Sequence, residues 1–170
     1  MPTNLSAEEV IRLLGLQPHP VEGGFFRETW RSTELIPASA LRRHGATRSA
    51  GTAIYYLLTP LTYSALHRLP GDEVFHFYVG DPVRMLQLWP DGSACEIVLG
   101  TDLRKGHLPQ TVVAAGVWQG SLLEPGGTFA LLGATMAPGF DYADYEEGKR
   151  EPLMAAHPGA HELIRLLTAS

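Results

Sequence analysis

Ser64–Gly80, SALHRLPGDEVFHFYVG, holds two short β-forming runs around a tight turn. Pro70 fixes one φ and Gly71 leaves the next free, the combination a sharp reversal needs. The stretch therefore reads as a hairpin of strands over 64–69 and 73–79. Side chains on a strand alternate between faces, so Glu73, Phe75 and Phe77 share one face and Val74, His76 and Tyr78 the other. With Glu73 turned inward, an unkinked strand sends His76 outward, and a β-bulge near the turn would reverse this. An ionised carboxylate buried without a partner loses on the order of several kcal/mol of solvation. Pairing His67 with Glu73 relieves that cost, either as a structural polar cluster or as an acid/base pair.

Working outward, more strands follow at short intervals: 24–31, 52–58, 83–89, 96–99, 111–114, 118–123 and 128–135. Gly80-Asp-Pro82, Pro90-Asp-Gly92 and Pro125-Gly-Gly127 supply the turns between them. Before the strands, Ser6-Ala-Glu-Glu9 is a capping box for a short helix over 7–14, with Val10, Ile11, Leu13 and Leu14 as its apolar stripe and Gly15 as its stop. Residues 33–50 read as a loop, a lid or a dimer-contact arm. After Pro138, Asp141, Asp144 and Glu146 read as a helix start or loop. Helical pieces follow over 153–156 and 160–168, the latter burying Leu163, Ile164, Leu166 and Leu167. An all-β, double-sheet jelly roll with short helices at both ends is the architecture expected, as a single domain over 1–170. Such a fold has a hollow between its sheets where a small molecule binds.

The 170 residues carry 45% hydrophobic and 18% charged side chains and a net charge of −5, as a globular chain with one core does. Without a Lys/Arg cluster, nucleic acid is not an expected partner. Apolar runs stop well short of the ~20 residues that span a bilayer, so no membrane is expected either. The opening MPTNLSAEEV lacks the basic and apolar parts of a signal peptide, and a single cysteine forms no internal disulfide; both point to the cytoplasm. Cys95, in a strand-like run, is expected as a small buried hydrophobe. Neither a nucleophile elbow nor a phosphate-binding glycine loop occurs.

The hairpin resembles the first of two motifs that cupins carry on adjacent hairpins of a jelly roll, G-x5-H-x-H-x3or4-E-x6-G. His67 fits the first histidine, Leu69 stands at the second, Glu73 follows and Gly80 closes the motif. The second motif, G-x5-P-x-G-x2-H-x3-N, is reduced to Ala114-Ala-Gly116-Val-Trp-Gln119: Ala114 replaces the proline, Gln119 the histidine and Leu123 the asparagine. With GGFFRETWRS, TAIYYLL, VVAAGVWQGS and LLGATMAPGFDYADYEEG, the chain resembles the cupin-5 family, a domain family of unknown function (DUF985), over roughly residues 5–167. The resemblance implies a cupin fold and a homodimer.

Three readings of the site stay open. A cupin metal centre offers three histidines and a glutamate to Fe, Mn, Ni or Zn, and here the divalent ion is left with His67, Glu73, Gln119 and, if it turns inward, His76. Without metal, His67 is the acid/base of an isomerase- or epimerase-like enzyme, as in metal-free cupins that epimerise sugar nucleotides, with Glu73 as its orienter and Gln119 as a substrate hydrogen-bond donor. In the third reading the same residues only recognise a ligand. Phe75, Phe77 and Trp118, like Trp89 and Phe129, are core residues or aromatic walls for that ligand. Of Tyr55 and Tyr56 only one can face inward, and Arg27 and Glu28 form an exposed pair or a polar anchor at the cavity mouth.

Overall fold

The structure, a computed structural model, describes residues 5–169; Met1–Asn4, the start of the N-terminal stretch read above, lie outside the described residues. Helix α1 (Ala7–Leu14) starts as its sequence says: Glu9 N–H donates to Ser6 Oγ (3.2 Å) and Ser6 N–H to Glu9 Oε2 (2.8 Å), and Gly15 ends it at φ 62°. Then come β1 (Gln17–Pro18), β2 (Phe25–Arg31), β3 (Leu35–Ile36), β4 (Arg48–Ser49), β5 (Thr52–Leu58), β6 (Tyr63–Arg68) and β7 (Glu73–Gly80). The chain continues through β8 (Val83–Leu88), β9 (Ala94–Leu99), β10 (Gln110–Val113), β11 (Trp118–Leu123), β12 (Ala130–Met136) and β13 (Glu146–Glu147), ending in α2 (Arg150–Ala156) and α3 (His161–Leu166).

Two antiparallel sheets make the body, one in the order β1-β2-β5-β12-β7-β10 and the other β13-β6-β11-β8-β9. This is the jelly roll the strand spacing implied. The segment over 33–50 is irregular apart from the short β3–β4 pair and one 3-10 turn at Ala38–Ala40. It is tied down by Arg48, whose Nε donates to Asp144 Oδ2 at 2.8 Å in a buried ion pair. No helix of the described residues is long and apolar enough to cross a membrane.

Three apolar clusters follow from strand alternation. Between the sheets, Tyr56, Phe75, Phe77, Met85, Leu99 and Leu132 form the central core. Outside the five-stranded sheet, Leu66, Leu86, Leu88 and Trp118 pack under Leu163, Ile164 and Leu167 of the C-terminal helices. Leu166 is exposed rather than buried, because it lies off the side of α3 that carries those three. A third cluster seats α1 through Val10 and Ile11, with Leu16, on Leu57, Phe129 and Leu131. Leu13 stands exposed off this stripe. Cys95 is also exposed: the strand is there and Cys95 shares the face of Ile97 and Leu99, but it lies near the start of β9, the edge strand of its sheet.

The irregularity that shapes the site lies in β6. Gln119 faces His67 and Ser121 faces Ser64, so one residue of β11 opposes two of β6, Ala65 and Leu66. This bulge lets Ser64 and His67 both face inward while Leu66 turns out beneath the helices. Gly120 sits opposite, where a Cβ would lie 2.9 Å from Ser64 O and 3.2 Å from Leu66 N. Strand β7 runs unbroken from Glu73 to His76 against both neighbours; its own shift comes later, beside Tyr78.

Candidate functional site

One end of the space between the sheets is a cavity of about 300 Å³. Strands supply Phe26, Thr52, Ile54, His67, Glu73 and Ala134 to its wall, and loops supply His19, Glu22, Phe140 and Tyr142.

His67 is buried, and its Nδ1 lies 2.7 Å from Ala65 O. A carbonyl only accepts, so Nδ1 carries the proton and Nε2 of the neutral ring is an acceptor. Among the described residues Nε2 has no hydrogen-bond partner within the chain. The ring stacks on Tyr145 at 4.9 Å between centroids, and the buried Tyr145 hydroxyl is itself unpartnered among the described residues. Burial pushes the Tyr145 phenol up.

Glu73 accepts a hydrogen bond from the Gln119 side-chain amide. Burial, and next the Glu22 carboxylate, raise its pKa from 4.5 to about 7, against the opposing pull of His67 and the Gln119 amide. Glu73 and His67 thus share the cavity, yet the orienter of His67 is the Ala65 carbonyl rather than Glu73. Gln119 is the partner of Glu73 rather than a group in the cavity wall.

His76 is the clearest correction. The regular register of β7 sends it to the outer face, where Nε2 meets Thr135 Oγ1 (3.0 Å) and Nδ1 takes the Gln110 amide (3.2 Å). It therefore neither lines the cavity nor reaches a metal placed there. Phe75 and Phe77 face inward but belong to the packed core beyond the cavity. Trp118 points out toward the C-terminal helices, with the Arg68 guanidinium 4.5 Å over its ring. Tyr56 faces in and Tyr55 out, and Arg27 lies over Tyr55 at 5.8 Å. Glu28 does reach the cavity mouth, paired with Arg31 and not with Arg27.

Sequence reasoning missed His19 and Glu22. Their stretch, QPHPVEGG (17–24), forms a turn: His19 N–H donates to Gly24 O (2.9 Å). Ala65 N–H donates to Glu22 O (2.8 Å), and Ser64 Oγ to the Glu22 carboxylate, stitching the loop to the bulged strand. Two ionisable residues inside a proline- and glycine-bounded turn were the available signal. Burial lowers the pKa of His19, with Glu22 opposing.

A cupin metal set does not fit these residues. Leu69 lines the cavity in place of one histidine, Gln119 is taken up by Glu73, and His76 is outside. No group of three or more His, Cys, Asp or Glu among the described residues is arranged to hold a metal ion.

Comparison with known proteins agrees with the fold. The family model for the cupin superfamily (DUF985) matches residues 8–147. An uncharacterised protein of Saccharomyces cerevisiae is 31% identical over 133 residues, 73% of this chain and 66% of that protein. The match thus spans just under two thirds of the yeast protein's length. A hypothetical protein from Leishmania major superposes with TM-score 0.88 at 30% identity, covering 98% of this chain and 100% of that one. Protein SO0799 of Shewanella oneidensis gives 0.85 at 33% identity, over 97% and 98%. Oxalate decarboxylase of Bacillus subtilis, an enzyme described with Mn(II) centres, gives 0.53 at 14% identity over 89% of this chain and 37% of that one, a likeness of fold alone. The chain belongs to the cupin-5 (DUF985) family of the cupin superfamily.

Proposed function

We propose that this protein binds a small polar, carbohydrate-like molecule in the cavity between its sheets and moves a proton on it, as an isomerase- or epimerase-like enzyme with His67 as the base. The observation that carries this reading is one cavity of about 300 Å³ holding both an acceptor Nε2 on His67 and a buried Glu73 with a pKa of about 7. A general acid or base works best when its pKa lies near the working pH. The volume sits at the small end of ligand pockets, roughly 300–1,000 Å³, which suits a molecule of monosaccharide size. His67 Nε2 takes a proton from the substrate, protonated Glu73 supplies one, and Gln119 holds the Glu73 carboxyl in place.

Thermal shift and saturation-transfer NMR against neutral monosaccharides and polyols test the reading. A ligand is expected, with turnover lost and binding kept in His67→Ala. Turnover and binding both intact in His67→Ala and Glu73→Gln remove it. Elemental analysis of protein purified without tag or chelator tests the metal-dependent alternative, which one bound Fe, Mn, Ni or Zn per chain would favour.

The homodimer belongs to the same proposal. Trp30 and Val112, exposed in one cross-sheet row on the outer face of the six-stranded sheet, support it. A monomer by light scattering removes it.

A further inference from the structure

The two histidines facing the cavity present opposite hydrogen-bonding polarity. His67 Nδ1 is used as a donor to Ala65 O (2.7 Å), which leaves its Nε2 as an acceptor. His19 Nδ1 is used as an acceptor: the backbone N–H groups of Val21 (3.3 Å) and Glu22 (2.9 Å) donate to it. Its proton therefore rides on Nε2, which lies 3.8 Å from Glu22 Oε2, too far for a hydrogen bond. Both rings line the same cavity. Backbone contacts have thus prepared one proton acceptor and one proton donor on its walls.

Resting on the proton-transfer reading above, we propose that His19 is a second catalytic group, a neutral imidazole whose Nε2–H polarises a substrate carbonyl while His67 Nε2 removes the adjacent C–H proton, and that the substrate is a small uncharged hydroxycarbonyl compound. The C–H bond breaks toward His67, and its electron pair forms a C=C bond to the carbonyl carbon. The carbonyl π pair moves to oxygen, where the His19 Nε2–H holds the developing enolate by a hydrogen bond. Delivery of a proton from Glu73 to the other face of the same carbon, while His67 keeps the one it took, inverts it, and exchange with solvent resets both groups. Return of the proton to the former carbonyl carbon, after a proton passes between the two oxygens, exchanges aldose and ketose. No oxidant or co-reactant is consumed.

Two further features agree. A neutral imidazole polarises a carbonyl well where its surroundings keep it unprotonated, and burial does this for His19. Cavity charge selects the uncharged substrate. Glu22 and Glu28 line the space, and the guanidinium in its wall, Arg31, is bound to Glu28 (2.9 and 2.8 Å) and Phe140 O (3.0 Å). An anion would meet carboxylates and no free cation among the described lining residues.

The test uses the full chain in D2O with dihydroxyacetone, glycolaldehyde, D-glyceraldehyde and D-xylulose. Proton NMR follows loss of the C–H signal next to the carbonyl, each rate being divided by that given by free imidazole. Exchange is expected with at least one probe and abolished in His67→Gln. His19→Asn, whose oxygen can stand in for Nδ1 but which has nothing at the Nε2 position, should slow exchange about 100-fold with little change in KM. An unchanged rate in His19→Asn, or an effect confined to KM, overturns the role of His19 and leaves the proton-transfer reading standing. No exchange by the wild type with any probe overturns both. Normalised exchange of pyruvate as fast as that of dihydroxyacetone overturns the uncharged substrate class. Nitrogen-15 NMR of the wild type needs no variant: protons on His19 Nε2 and His67 Nδ1 are expected, and the reverse tautomer in either ring sinks the proposal.

Discussion

The two ends of the barrel interior share their strands and differ in what lies between them. Along β7, Phe75 and Phe77 meet Tyr56, Met85 and Leu132 in a packed apolar core, while Glu73, at the start of the strand, opens into the cavity. Alternation is the same throughout. At the packed end, large apolar residues from both sheets fill the gap. At the open end, Ala134 is small and Leu69 forms part of the wall, and the loops carrying His19, Glu22, Phe140 and Tyr142 roof the space instead of filling it. Packed core and open cavity are therefore separable along a single strand.

The strongest test of that separation is Phe77→Ala. It should destabilise the fold by about 3–5 kcal/mol, read by urea unfolding, and leave the His19 and His67 NMR shifts in place. A loss under about 1 kcal/mol would mean the packed end does not hold the barrel.

Next comes Glu73→Gln. The folded carboxyl holds its proton more tightly than the unfolded one, so its favourable contribution is complete below pH 4.5 and is lost as pH rises through about 7. The loss is on the order of 3 kcal/mol. The stability difference between wild type and Glu73→Gln, measured across this window, should carry that slope, and a flat difference would show that Glu73 is not held protonated.

Gly120→Ala probes the bulge itself. Its Cβ would press on the Ser64 carbonyl and Leu66 N–H of β6, costing about 1–3 kcal/mol and shifting the His67 ring signals. Unshifted signals would mean that the bulge does not aim His67.

The smallest effect is expected for His76→Ala. It removes two outer-face hydrogen bonds worth about 0.5–1.5 kcal/mol each at most and leaves ligand binding untouched. Impaired binding would put His76 back at the cavity.

These contrasts also mark what was legible in the sequence. Strand period and turn residues determine the hairpin at 64–80, the capping box and the burial of Glu73, because each depends on neighbours in the chain. The outward direction of His76 follows from the same alternation once β7 is known to be regular. The bulge in β6 was not legible, since it depends on Gly120 of β11 across the ladder. His19 and Glu22 were missed for a similar reason: nothing local ties residue 19 to residue 67. The expected partners of Glu73 and His67 shifted too. Glu73 went to Gln119, and the ring of His67 to a carbonyl two residues before it.

The roofing loop around His19 and Glu22 has a consequence for the timing of assembly. The cavity draws on residues 19–31, 52–73 and 134–142, so its walls meet only after most of the chain has been synthesised and has closed its longest loops. A nascent or partly folded chain can carry β-structure yet no pocket. Ligand binding would then draw on the finished barrel alone, and any ligand present at many times its Kd would pull late intermediates toward completion by mass action.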